Sequence, residues 1–181
     1  KYQLHTKIVL TMTAALIFLG TVGFILLEKD AAFYGMSAGD RLLAALFQSV
    51  TPRTAGFNTI DLTALSEGGR LLTMLLMLIG AGSGSTAGGI KVTTLTVLLL
   101  SVVSQSYRHQ DLNIFGRRLE EDAVKRACSN TTLYVMLSLT GCFILCIQGF
   151  SVSDAMFEAL SAIGTVGLSM GITPQLPVLS K

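Results

Sequence analysis

Two short stretches of this sequence have the residue types needed to bind a bare cation through backbone oxygen. Thr54-Ala55-Gly56-Phe57-Asn58 and Thr165-Val166-Gly167-Leu168-Ser169 share a Thr-x-Gly core. Glycine reaches backbone angles closed to other residues, so such a loop can line up its carbonyls towards one axis. Rings of carbonyls can replace the hydration shell of a potassium ion. The residues before each loop correspond as well. Ala45-Leu-Phe-Gln-Ser-Val-Thr51 lies over Ala155-Met-Phe-Glu-Ala-Leu-Ser161, with Ala and Phe identical and the other positions alike in type. The second copy needs one extra residue before the loops come into register. A pattern that returns after about 110 residues in the same context is a structural unit.

The elements that must position these loops are apolar helices. The chain is 51% hydrophobic and 13% charged, against about 25% charged in soluble domains. Residues 8–27 and 127–150 are uncharged runs of 20 and 24 residues, and about 20 apolar residues span a bilayer core as a helix. Glu28-Lys-Asp30 is expected to mark the exit of the first span into water. Ser37-Ala-Gly-Asp40 offers N-cap residues. Leu42, Leu43, Leu46, Phe47 and Val50 then recur at helical spacing until Thr51-Pro52, where proline removes a donor and restricts the residue before it. A helix of about 10–13 residues is too short to cross and fits a re-entrant segment. Ser153 or Asp154 is expected to cap its counterpart over residues 155–163. Each short helix leads into its Thr-x-Gly loop with its negative C-terminal end, which favours a cation.

Residues 70–108 are long enough to span once but are interrupted by Gly80-Ala-Gly-Ser-Gly-Ser-Thr-Ala-Gly-Gly89. Gly82-Ser-Gly-Ser-Thr-Ala87 fits a dinucleotide-binding G-x-G-x-x-A, but no acid follows between Gly89 and Gln110, where that fold wants one. The phosphate-loop pattern fails because Ile90, not lysine, follows Gly89. The functional reading is an unwound hinge below the filter, a gate formed by Gly80, Gly82, Ser83, Gly84, Ser85, Thr86, Gly88, Gly89 and Lys91. The plainer reading is a kink that lets helices pack closely. Lys91 has four open roles: repelling cations, pairing with an acid elsewhere, holding the loop's carbonyls, or snorkelling to the inner surface. Arg53 either braces the first loop through its carbonyls or forms a solvated rim pair with Asp61. Asp61 otherwise draws cations to the outer mouth. Glu158, at the position of Gln48, is expected to bond behind the second loop.

The predicted fold is all-α: a polytopic membrane protein of repeated membrane helix–re-entrant pore helix–membrane helix units, like potassium channels. Residues 1–107 form one complete unit, 108–126 a linker, and 127–181 an incomplete second unit. The linker carries Arg108, Arg117, Arg118, Lys125 and Arg126, so the positive-inside rule places it and the N-terminus in the cytoplasm. Both short helices then enter from outside. A start at Lys1 without a signal-like cleavage site, and an end just past a loop, predict a piece of a longer chain.

Thr51-Pro-Arg-Thr-Ala-Gly-Phe-Asn-Thr-Ile-Asp61 and the Gly80–Lys91 string resemble the third repeat of the Trk/Ktr/HKT superfamily of potassium transporters. Thr165-Val-Gly-Leu-Ser169 resembles the filter of the fourth. The sequence is most similar to the bacterial Ktr-type membrane subunit. The resemblance implies a multi-pass protein of the cell membrane, surrounded by lipid, in which four such units enclose one pore and the glycine-rich string is an intramembrane gate. It implies potassium as the transported ion, with sodium as a possible second ion. It also implies a homodimer on a cytoplasmic ring of nucleotide-binding (RCK-type) regulatory subunits, which Arg117, Arg118, Lys125 and Arg126 would contact.

The rival function is a secondary transporter holding a small substrate at broken-helix ends. An enzyme is not indicated, because no nucleophile–base or metal cluster is legible, and the small net charge gives no reason to expect nucleic acid. Cys128, Cys142 and Cys146 lie in or beside one apolar segment, without a nearby histidine, and read as packed thiols. His5 and His109 sit in polar flanks and read as solvated.

Overall fold

The computed structural model describes residues 4–106, 113–114, 117–118 and 121–176. The first uncharged run forms α1 (Leu4–Leu27) and the second lies in α5 (Glu121–Ile147). At about 1.5 Å per residue both exceed the roughly 30 Å of a bilayer core. Their outer surfaces carry Phe18, Leu19, Leu26, Leu133, Phe143 and Ile147 exposed. That much contiguous apolar surface is out of place in water and suits lipid. α5 begins before the uncharged run, at Glu121, and takes in the charged residues up to Arg126. Lys125 and Arg126 therefore sit on a helix. Lys125 Nζ lies 3.9 Å from Asp122 Oδ1, and Arg126 Nε donates to the Asp122 carbonyl at 3.2 Å. In the linker, β1 (Asn113–Ile114) and β2 (Arg117–Arg118) pair antiparallel. Arg108 and His109 lie outside the described residues.

The short helices are α2 (Ala38–Val50) and α6 (Val152–Ile163). They start with the same device. Ser37 Oγ accepts from Asp40 N at 3.2 Å and donates to Asp40 Oδ2; Ser151 Oγ accepts from Asp154 N at 3.1 Å and donates to Asp154 Oδ2. The cap of the second helix is thus Ser151, not Ser153 or Asp154. The Ser-x-x-Asp spacing, a relative of the capping box, makes Asp154 the reciprocal partner of the cap.

Each long helix packs on its short one through a small residue. Ser49 Oγ donates to the Ile17 carbonyl at 2.9 Å, and a Cβ on Gly20 would lie 2.3 Å from that oxygen. In the second unit a Cβ on Gly141 would touch the Ala159 methyl at 3.3 Å. The broken span consists of α3 (Glu67–Leu78) and α4 (Val92–Ser106). α3 packs on α1 and α6, and α4 on α1 and α5. The core around α3 and α6 collects Met74, Met77, Phe157, Leu160, Val166 and Leu168.

Glu28 departs from expectation: it does not exit into water but is fully buried. Its carboxyl group accepts from Ser66 N (3.1 Å), Ser66 Oγ (2.7 Å) and Ala32 N (3.2 Å). Ser66 is itself the N-cap of α3, accepting from Gly69 N, so the acid also faces the positive end of that helix. Lys29 and Asp30 are exposed as expected. A Cβ at position 69 would fall 1.8 Å from Glu28 Oε1. Gly69→Ala should therefore dislodge the carboxyl group and cost about 1–3 kcal/mol, the penalty of stranding its donors. Gly39→Ala, in open space at the start of α2, should be neutral or slightly stabilising. Thermal unfolding of the intact detergent-solubilised protein checks both; equal midpoints would remove Glu28 as a structural tie.

Candidate functional site

The two Thr-x-Gly loops follow directly from the C-termini of α2 and α6 and have the same backbone form. Thr54 and Gly56 have φ of 71° and 75°, Thr165 and Gly167 of 52° and 84°. Among the described residues, Thr54 and Thr165 are the only non-glycines with positive φ. A β-branched residue in that region is strained, and both loops place it at the same point. The extra residue of the second copy is absorbed at the helix end: Ala55 N reaches the Thr51 carbonyl (3.1 Å), and Val166 N reaches that of Ser161 (2.8 Å), with one more residue enclosed.

A hydroxyl fixes each loop's far side. Thr51 Oγ1 donates to the Phe57 carbonyl at 2.6 Å, and Ser161 Oγ to the Leu168 carbonyl at 2.5 Å. These are equivalent positions, so the pairing of Thr51 with Ser161 in sequence becomes the same bond in space. The loops also touch each other. Thr54 Oγ1 donates to the Gly164 carbonyl at 3.3 Å, and a Cβ on Gly56 would lie 2.1 Å from the Val166 carbonyl oxygen.

The interruption between α3 and α4 is a closed loop, not a frayed kink. Ile79 and Ile90 form a parallel bridge, with Gly80 N donating to Ile90 O (2.9 Å) and Ile90 N to Leu78 O (2.8 Å). Across the loop, Ser83 and Thr93 share a hydroxyl–hydroxyl bond. Lys91 Nζ donates to the carbonyls of Ser85 (3.1 Å) and Ala87. Of its four open roles, holding the loop's carbonyls is the one the geometry makes. Gly84 and Thr86 lie on the exposed part of the loop, whereas a Cβ on Gly82 would fall 2.9 Å from a Val9 methyl of α1. The loop's other end meets the second Thr-x-Gly loop: Gly88 N donates to Thr165 Oγ1 at 2.9 Å, and a Cβ on Gly88 would be 2.8 Å from Gly164 C and O.

Residues 3–181 match the family profile described as TrkH, cation transport protein. The chain belongs to the TrkH family. It is 40% identical to the potassium/sodium uptake protein NtpJ of Enterococcus hirae, over all of this chain and 42% of that protein. It is 39% identical to the Ktr system potassium uptake protein B of Bacillus subtilis, over 99% of this chain and 41% of that protein. The chain thus spans about two-fifths of the length of these relatives. Its fold matches the crystal structure of the potassium transporter TrkH from Vibrio parahaemolyticus, with a TM-score of 0.70 over 91% of this chain and 37% of that one, at 21% identity. The all-α, membrane-embedded architecture expected from the sequence is that of the TrkH family.

Around the loops, Glu158 stands behind the second one. It accepts from Ser169 Oγ, and Thr173 Oγ1 lies 3.1 Å from both of its oxygens. Gly171 N closes this cluster onto Ser169 Oγ at 2.9 Å. Gln48, at the matching position behind the first loop, is fully buried, and neither atom of its amide has a partner among the described residues. Arg53 does not make the first of its two readings, a brace on the first loop: its buried Nε makes no hydrogen bond among the described residues. Nor is a rim pair between Arg53 and Asp61 found there. Asp61 instead caps a short 3-10 turn, Leu62–Ala64, accepting from Thr63 N (2.9 Å) and Thr63 Oγ1 (2.7 Å). The Gly88–Thr165 contact was not legible in sequence, since it joins residues far apart in the chain.

The hydrogen bonds from Thr63 hold the exposed Asp61 carboxyl below its ordinary value of 3.8. A depressed folded pKa gives a contribution present above the ordinary value and lost as pH falls through the folded one. Thr63→Val should remove the hydroxyl's share of it, the larger one, and leave that of the Thr63 amide. The stability difference between wild type and variant should be constant above about pH 5 and shrink below about pH 4. Thermal unfolding across that range, repeated in an Asp61→Asn background where the pH dependence should vanish, checks the assignment.

Proposed function

We propose that the intact protein takes up potassium across the cell membrane, and that residues 54–58 and 165–169 are two of the carbonyl-lined loops of its selectivity filter. The observation that carries this reading is the matched backbone of the two loops: left-handed Thr and Gly at equivalent positions, a hydroxyl-to-carbonyl bond behind each, and direct contact between them. Strained threonines are not needed for a simple turn. They are needed to keep carbonyls facing one axis in place of an ion's water shell. The ends of α2 and α6 that point into the loops are C-terminal and carry the negative end of each dipole. That supports a cation over the anionic or organic substrate of a secondary transporter, whose site would be built at helix N-termini.

The loop of residues 79–91 is the gate in this reading, seated against the second filter loop through Gly88. Sodium is a second transported or coupled ion, in line with the name of the Enterococcus hirae relative. The basic linker faces the cytoplasm. The name "Ktr system" of the Bacillus subtilis relative supports a membrane subunit that works with others, here as a homodimer on a nucleotide-binding regulatory ring engaged through Arg117, Arg118, Lys125 and Arg126.

Two expectations test the reading in the intact protein. Gly56→Ala and Gly167→Ala should each weaken the preference for rubidium over sodium, Gly56 more severely because it lacks both space and an accessible φ. Uptake of the two ions in cells without other potassium uptake systems measures this; unchanged discrimination at normal expression would remove both glycines from a filter. Deleting residues 82–88 should raise flux while the preference between ions persists. A fall in flux at normal expression and selectivity would make the loop a packing element.

A further inference from the structure

Thr165 has two claims on one oxygen. Its side chain stands at the start of the second filter loop, where a hydroxyl adds a ligand at the inner end of a carbonyl-lined path. That same oxygen accepts the Gly88 N–H from the loop between α3 and α4, at 2.9 Å. A hydroxyl has one proton and two acceptor lone pairs. An amide N–H aimed at it brings the positive end of a dipole to the place where a cation would need negative charge. Thr54, the equivalent residue of the first loop, makes no such contact: its hydroxyl donates to the Gly164 carbonyl. The two threonines therefore differ in function although they match in sequence and in φ.

We propose that the Gly88 N–H and a permeant cation compete for the Thr165 hydroxyl, so that filling the inner end of the filter and releasing the loop are thermodynamically linked. The inference rests on the filter reading above. Linkage works in both directions: a seated loop weakens cation binding at the inner position, and a bound cation loosens the loop. Because the oxygen keeps a second lone pair, the competition is partial and the coupling finite, in the usual range of about 5–150-fold. The effect also reaches the first filter loop, because Gly164, which packs against Gly88, accepts the Thr54 hydroxyl.

The test is amide hydrogen exchange of the peptide covering residues 80–90 in the intact protein in lipid nanodiscs. Exchange is compared in potassium and in N-methylglucamine, a cation too large for a filter. Thermal unfolding in the same buffers reports whether potassium binds. Potassium should stabilise the wild type and speed exchange of this peptide by about five-fold or more. Thr165→Val keeps the side chain's shape but removes the acceptor, so exchange should be fast in both buffers. Thr165→Ser restores a hydroxyl and should restore slow exchange and its acceleration by potassium. The proposal is overturned if potassium stabilises the wild type without changing exchange, or if Thr165→Val exchanges as slowly as wild type. If potassium neither stabilises the protein nor alters exchange, the filter reading itself fails, and this inference with it.

Discussion

The backbone of two threonines governs this structure. Thr54 and Thr165 are held at positive φ, a conformation that costs a β-branched residue of the order of 1–3 kcal/mol. Nothing local compensates for it, so the surroundings must. The hydroxyls of Thr51 and Ser161 anchor the carbonyls just beyond each glycine, and the amides of Ala55 and Val166 fold back onto the helix ends. The short helices that carry these anchors are fixed at their other ends by paired Ser–Asp caps. α1 sits close enough to hold α2 because Gly20 presents no side chain to Ser49, and α5 approaches α6 closely where Gly141 faces Ala159. Each layer exists to keep the next one in place, and the innermost is an unfavourable backbone angle.

The two short helices and their loops are alike in backbone and unlike behind it. Glu158 is satisfied by Ser169 and Thr173, whereas Gln48 is sealed in without a partner among the described residues. Ser49 reaches across to a backbone carbonyl of α1 where the second unit has the methyl of Ala159 against Gly141. A repeat can keep its backbone while its supporting contacts diverge, because the backbone is set by a few hydroxyl and amide bonds and the support needs only matching shape.

Local pattern made much of the architecture legible in the sequence. The uncharged runs located α1 and α5, helical spacing ended by Thr51-Pro52 located α2, and the internal alignment placed the second loop to the residue. What sequence could not supply was anything decided by a distant partner. Glu28 looked like a water-facing charge because its three donors lie on Ser66 and Ala32, brought together only by the turn after α1 and the approach of α3. Arg53 read as either a brace or half of a rim pair with Asp61, but its Nε has no partner among the described residues. The glycine string read as a hinge, with a packing kink as the plainer alternative, and the Ile79–Ile90 bridge that closes it pairs residues with no periodic signal. The cap at Ser151 was within reach: the Ser-x-x-Asp spacing of the first unit recurs there, and applying it would have set the boundary.

The buried Glu28 has a mechanical consequence. It ties the end of α1 to the start of α3, so α3, the first half of the broken span, belongs to the same frame as the loop supports. Beyond the break, α4 packs on α1 and α5, and among the described residues no buried carboxylate ties it to them as Glu28 ties α3. The broken span is therefore an anchored post joined to a lever, with the loop of residues 79–91 as the joint. A torque arriving through the linker that follows α4 would be delivered to that joint, which meets the second strained threonine at the Gly88–Thr165 bond and the close approach of Gly88 to Gly164.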